Sequence, residues 1–253
     1  MLILTSPAKT QDFESPYTDS TRTAPAFLPQ AQEIMKILRT LSVKQLMTLM
    51  EISEELAQLN HDRFARWGGL SQGPRVRPAI FAYRGDIYRE MDVSQYSPVQ
   101  FAYLQRSLRI LSGLYGVLRP FDMMEAYRLE MGTPLSVKPH TNLYDFWGDS
   151  LTRFVRDDVV QNGHTMVVNL ASEEYANAIQ FAELGVSVKH IIFKQRMGSV
   201  VKTYGILAKR ARGMMINHLV RRCSEKLADI REFTVGGYRL TGETDDTLEF
   251  TSG

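Results

Sequence analysis

Thr165-Met166-Val167-Val168-Asn169-Leu170, then Ala171-Ser172-Glu173-Glu174-Tyr175, and after Gly185 the run Val186-Ser187-Val188-Lys189-His190-Ile191-Ile192-Phe193 decide the fold. The first six residues are predominantly apolar and predict a buried strand. Ser172 predicts the cap of a helix through Leu184, and Gly185 its stop. Val186–Phe193 is a second β-rich run. Strand, crossover helix and strand in this order make a βαβ unit, so at least part of the sheet is parallel. Upstream, residues 149–160 read as a helix closed by Asn162-Gly163. Downstream, Ser199–Ile206 predicts a strand with Lys202 and Tyr204 on one face. Leu207–Arg222 is amphipathic, with Leu207, Ala211, Met214, Met215 and Leu219 as its core stripe. Gly236–Leu240 and Thr247–Phe250 suggest a closing hairpin.

Toward the start, Met1–Thr5 is an apolar strand ending at Ser6-Pro7, and residues 11–25 predict a long surface loop. Helical periodicity runs from about Ala26 to Asp62, with Ser42 and Gln45 forming a capping-box signature. Pro78–Tyr83 predicts a strand. Ser97-Pro98-Val99-Gln100 caps a helix to about Arg109. No repeat or linker interrupts the 253 residues, and 44% hydrophobic with 23% charged content suits a packed core. The expectation is one α+β domain over 1–253, with a mixed, partly parallel sheet and flanking helices. The one cysteine, Cys223, excludes an internal disulfide framework and suits a reducing cytoplasm. No apolar run reaches the roughly 18 residues of a membrane helix, and MLILTSPAKT lacks the features of a signal peptide.

Charge is distributed unevenly. Between Glu183 and Glu225 stand 41 residues without an acid, carrying Lys189, Lys194, Arg196, Lys202, Lys209, Arg210, Arg212, Arg221 and Arg222. These are nine of 30 basic residues, which leaves 21 basic against 28 acidic elsewhere. A concentrated basic surface attracts phosphates, and Phe193 and Tyr204 lie among the charges. The five histidines are scattered, so no metal site is expected, and no cofactor.

Two further segments carry chemistry. Leu49-Met50-Glu51-Ile52-Ser53-Glu54-Glu55-Leu56-Ala57 has the apolar spacing of a helix-hairpin-helix element, whose glycines are here replaced by Glu51 and Ser53. Ser53 suits a helix cap, whereas the acids oppose phosphate binding. Residues 107–149 concentrate glycine, aromatic and charged side chains. Gly113 and Gly116 allow tight turns, Arg119 and Arg128 offer forks to phosphate, and Tyr115 or Trp147 could stack on a base.

Together with Ser6-Pro7-Ala8-Lys9-Thr10, Asn169-Leu170-Ala171-Ser172-Glu173-Glu174-Tyr175 and Ala208-Lys209-Arg210-Ala211-Arg212-Gly213, these blocks give a chain that resembles the bacterial YaaA family along nearly its whole length. The resemblance implies a cytosolic protein of the peroxide response, associated with lower intracellular iron and protected DNA. It also implies a mixed α/β fold with a helix-hairpin-helix element and a positively charged cleft for double-stranded DNA.

Two functions from different classes follow. The first is binding of double-stranded or branched DNA by its backbone, with Lys189–Arg212 as one wall of a cleft. Lys194, Arg196, Lys202, Lys209, Arg210 and Arg212 supply its charge, and Lys9, Arg119 and Arg128 the other wall. The second is an enzyme acting on a nucleotide or another phosphorylated small molecule. Its pocket would contain Lys9, Arg128, Glu130, Asn169, Glu173, Lys202 and Lys209. Size discriminates: a duplex needs a groove about 20 Å wide, a metabolite a pocket of ~300–1,000 Å³.

Overall fold

The computed structural model describes residues 1–17, 21–70 and 76–253. The elements in chain order are β1 (Leu2–Thr5), α1 (Leu28–Leu38), α2 (Val43–Met50), α3 (Glu54–Arg66), β2 (Val76–Pro78), α4 (Ala79–Ala82), α5 (Asp86–Arg89), α6 (Pro98–Ser107), β3 (Leu108–Ser112), β4 (Gly116–Leu118) and β5 (Met123–Glu125). There follow α7 (Leu143–Trp147), α8 (Ser150–Gln161), β6 (Met166–Leu170), α9 (Glu173–Ala176), β7 (Ser187–Met197), β8 (Val200–Lys202), α10 (Gly205–Arg222), α11 (Leu227–Arg231), β9 (Arg239–Glu243) and β10 (Thr247–Ser252).

The main sheet runs β4-β3-β1-β6-β7-β10-β9, with β8 paired to β7, and a separate ladder joins β2 to β5. Strands β3, β1, β6, β7 and β10 are parallel, and β4, β8 and β9 are antiparallel additions. The fold is therefore mixed α/β, as the βαβ unit predicts. Strand β1 is covered on both faces and all four of its residues are buried, which is why it reads as an unbroken apolar run. From β1 the chain moves to β3 on one side and later to β6 on the other. The order reverses between β1 and β6, and open sheets of this kind bind ligands beside the carboxyl ends at such a reversal.

Several local expectations need correction. The helix predicted from Ser172 to Leu184 is only the four-residue α9, followed by a single turn at Phe181–Glu183. The Gln180 N–H donates to Thr152 Oγ1, so tertiary contact with α8 replaces helix propagation. Ser172 makes no cap with its side chain; its hydroxyl accepts from Ser6 Oγ at 3.2 Å. The strand predicted at Pro78–Tyr83 is β2 followed by the helical turn α4. Helix α6 stops at Ser107, which places Arg109 in a strand. Of the loop expected over 11–25, residues 18–20 lie outside the described residues.

Helices α2 and α3 form a tight pair. Ser42 and Gln45 complete the capping box, and Ser53 Oγ accepts the Leu56 N–H. Glu51 sits in the left-handed region, φ 52 and ψ 52. This is a conformation that glycine adopts without strain. Tyr115 and Trp147 are fully buried, and neither is free to stack on a base. The Tyr115 hydroxyl accepts from Trp67 Nε1, and Trp147 Nε1 donates to the Gly113 carbonyl.

Candidate functional site

A pocket of about 450 Å³ opens at the carboxyl ends of β1 and β6. Its walls are the Ser6–Gln11 segment after β1, Gly85–Tyr88 at α5, Tyr127–Glu130 after β5, Ser172–Tyr175 after β6, and Lys209 with Arg212 from α10. Close backbone packing assembles it. A Cβ on Gly213 would lie 2.1 Å from the Ile87 carbonyl oxygen, so only glycine lets α10 rest on α5 and bring Arg212 to the wall. A Cβ on Gly113 would lie 2.5 Å from the Leu129 carbonyl oxygen, so the β3–β4 turn supports the opposite wall by the same means.

Hydrogen bonds fix the floor. Ser172 N–H donates to Ser6 Oγ at 2.8 Å, joining the two strand ends, and Tyr88 OH donates to the Ser6 carbonyl at 2.9 Å. The Tyr127 hydroxyl lies 2.7 Å from that of Tyr83 and 2.6 Å from Ser112 Oγ. Burial pushes the Tyr127 phenol up to about 12, so it is neutral and serves as a hydrogen-bonding anchor.

Charges line the mouth. Glu130 lies between Lys9 Nζ at 2.8 Å and Arg128 at 3.0 Å. Its Oε2 and the Arg128 Nε are both buried and have no hydrogen-bond partner among the described residues. Arg212 is half-buried, its Nε is likewise buried and unpartnered, and no hydrogen bond or ion pair engages its guanidinium among the described residues. Burial alone pulls its pKa below the usual arginine value. Glu174, also on the wall, accepts the Gly132 N–H at 3.0 Å.

The sequence-derived candidates therefore separate. Lys9, Arg128, Glu130, Glu173, Lys209 and Arg212 share this pocket. Arg196 and Lys202 stand exposed on the β7–β8 arm, which projects from the same end of the sheet. Lys194 and Arg210 are in ion pairs, with Glu249 at 2.5 Å and Glu90 at 2.6 Å. Asn169 is not part of the pocket. Its Oδ1 accepts the Ala171 N–H and its amide nitrogen lies 3.0 Å from His190 Nδ1, so it shapes the turn after β6. Arg119 lies at the amino ends of the parallel strands, 3.7 Å from Asp158 and over the Phe154 ring, away from Lys9 and Arg128.

Sequence reasoning missed the Gly85–Tyr88 wall and the pocket-facing roles of Ser6 and Tyr127. The signal present was Arg84-Gly85-Asp86, a glycine beside charges, as in the blocks that were singled out. Among the described residues no group of three or more His, Cys, Asp or Glu is placed to hold a metal ion. No described helix is long and apolar enough to cross a membrane.

Comparison with known proteins adds a family model described as peroxide stress protein YaaA, which matches residues 1–244. The chain is 42% identical over 243 residues to the UPF0246 protein Sbal195_1149 of Shewanella baltica (strain OS195), covering 96% of this chain and 95% of the relative. It is 42% identical over 250 residues to a UPF0246 protein of Hahella chejuensis (strain KCTC 2396), with 99% and 98% covered. The UPF0246 protein IL2146 of Idiomarina loihiensis is 40% identical over 238 residues, with 94% and 92% covered.

Proposed function

The chain belongs to the peroxide stress protein YaaA family, and from that premise we propose that it protects DNA by holding the phosphate backbone of duplex or branched DNA at the carboxyl end of its sheet. The observation that carries this reading is the set Arg196, Lys202 and Lys209. All three are exposed at that end of the sheet, and none has an acidic partner among the described residues. Met197, Val200 and Ile206 are exposed between them, giving an apolar surface for sugars or a distorted base step.

Lysine and arginine that neutralise phosphates release the cations condensed on DNA. Ferrous iron held at the backbone belongs to that population, so binding displaces it and limits iron-driven strand damage. The test is binding to duplex, branched and single-stranded DNA by the wild type and by a variant carrying Arg196→Glu, Lys202→Glu and Lys209→Glu. The expected result is loss of binding in a variant with unchanged circular dichroism, since none of the three side chains is buried. Undiminished binding in the folded variant would overturn the reading.

A second reading, a site for a small phosphorylated molecule, is favoured by the pocket itself. Its volume of about 450 Å³ matches a metabolite rather than a duplex.

A further inference from the structure

We infer that the pocket between β1 and β6 is a binding site for a nucleoside 5′-monophosphate. The inference deepens the second reading above and does not depend on DNA binding. It starts from an anomaly: buried polar groups in folded proteins nearly always have partners, and an exception calls for an explanation. Three such exceptions, Arg128 Nε, Arg212 Nε and Glu130 Oε2, belong to side chains lining this one pocket.

The two kinds of orphan ask for different chemistry. Arg212 presents a guanidinium with no counter-charge among the described residues, Lys209 stands beside it on α10, and Arg128 lines the opposite wall. A guanidinium fork matches the oxygens of a phosphate, and desolvated positive charge is expensive unless an anion joins it. Glu130 asks for the reverse. Lys9 and Arg128 both engage its Oε1, and its Oε2 is left without a donor. A ligand that satisfies both carries an anion at one end and an O–H or N–H donor at the other. Inorganic phosphate is too small to fill a pocket of about 450 Å³, which suits a phosphorylated sugar or a nucleotide.

The remaining walls choose between those two. Pro7, Ala8, Ile87 and Leu129 give the pocket apolar surface that a bare sugar phosphate leaves uncovered and a planar base covers. The volume suits one nucleotide, whether free or at the end of a strand. The shared chemistry is a 5′-phosphate, a sugar and a base, and the committed ligand is the free mononucleotide.

Isothermal titration of the full chain with the four common ribonucleoside and four deoxyribonucleoside 5′-monophosphates, their nucleosides, ribose 5-phosphate and inorganic phosphate tests this. At least one mononucleotide is expected to bind with a single site. Removing its 5′-phosphate should weaken binding roughly 10–100-fold, the range for hydrogen bonds to charged groups. Arg212→Met should produce a loss of the same size, and Glu130→Gln a smaller one, in proteins with unchanged circular dichroism. If neither mononucleotides nor ribose 5-phosphate bind at millimolar concentration, both the inference and the second reading fall. If ribose 5-phosphate or inorganic phosphate binds as tightly as any mononucleotide, the small-phosphate reading stands and the nucleotide assignment is overturned. Binding of a 5′-phosphorylated oligonucleotide with no detectable binding of mononucleotides would overturn the free ligand in favour of a strand end. Unchanged mononucleotide affinity in folded Arg212→Met would place the site elsewhere and overturn the inference.

Discussion

Two arginine-lined hollows lie at opposite ends of the parallel strands, and their charges are engaged in opposite ways. At the amino ends, Arg109 is almost fully buried, and every guanidinium nitrogen has a partner. Its Nε donates to Asp158, and its terminal nitrogens donate to the carbonyls of Gln105, Leu108 and Arg106. Asp158 in turn accepts from Asn162 at 2.8 Å and faces Arg119 at 3.7 Å. At the carboxyl ends, Arg212 has no hydrogen-bond or ion-pair partner among the described residues, and Glu130 holds two cations on Oε1 while its Oε2 is unpartnered there. The same residue type is fully paired in one place and, among the described residues, carries an unpaired charge in the other. Arg109 is the more deeply buried of the two, and what separates them further is the fate of each donor.

The largest expected effect tests the paired hollow. Arg109→Met strands the buried Asp158 carboxylate, and breaking a buried pair from one side costs about 3–5 kcal/mol. Arg212→Met removes a charge that burial already disfavours, so its stability should be unchanged or higher. Urea denaturation of both variants checks the contrast. Equal losses would show that Arg212 also holds the fold together, and would break the comparison.

A smaller effect sharpens it through pH. His164 is buried beside the paired hollow, with Nε2 3.2 Å from the Arg106 carbonyl. Burial first, then the nearby N-terminal amine, lowers its pKa from 6.5 to about 4. The unfolded chain therefore binds a proton that the folded chain refuses between those values. Stability contributed by neutral His164 is complete above 6.5 and is lost as the pH falls toward about 4. The stability difference between wild type and His164→Gln should change across that window in this direction. A constant difference would mean the histidine is accessible in the fold.

Much of this was legible in the chain. The parallel core followed from Thr165–Phe193 because buried parallel strands are written as continuous apolar runs. The closing hairpin followed from its polar turn, and appears as β9 and β10. Lys9, Arg128, Glu130, Glu173, Lys209 and Arg212 are all candidates on sequence alone, from the acid-free basic run and from separate blocks rich in charged and polar residues. Their division was not legible. Arg119 and Arg128 carry the same chemistry nine residues apart, but Arg119 directly follows β4 at the amino ends, whereas the chain passes through β5 before Arg128 joins the pocket wall. The pairing of Lys194 with Glu249 and of Arg210 with Glu90 depends on elements distant in sequence, which an acid-free segment cannot reveal. Tyr115 and Trp147 looked like stacking platforms because aromatic side chains serve cores and bases alike. Helix α9 ended early because Thr152 captured the Gln180 N–H, a contact that local propensity does not encode.

The central claim is that the exposed cations at the carboxyl end act on phosphates outside the protein. It is tested most directly by the salt dependence of duplex DNA affinity, compared between wild type and a variant carrying Arg196→Gln, Lys202→Gln and Lys209→Gln. The slope of log affinity against log salt should be steeply negative in the wild type. In the variant it should be shallower by about 0.9 for each phosphate contact removed. A wild-type slope near zero, or the same slope in both proteins, would contradict the claim.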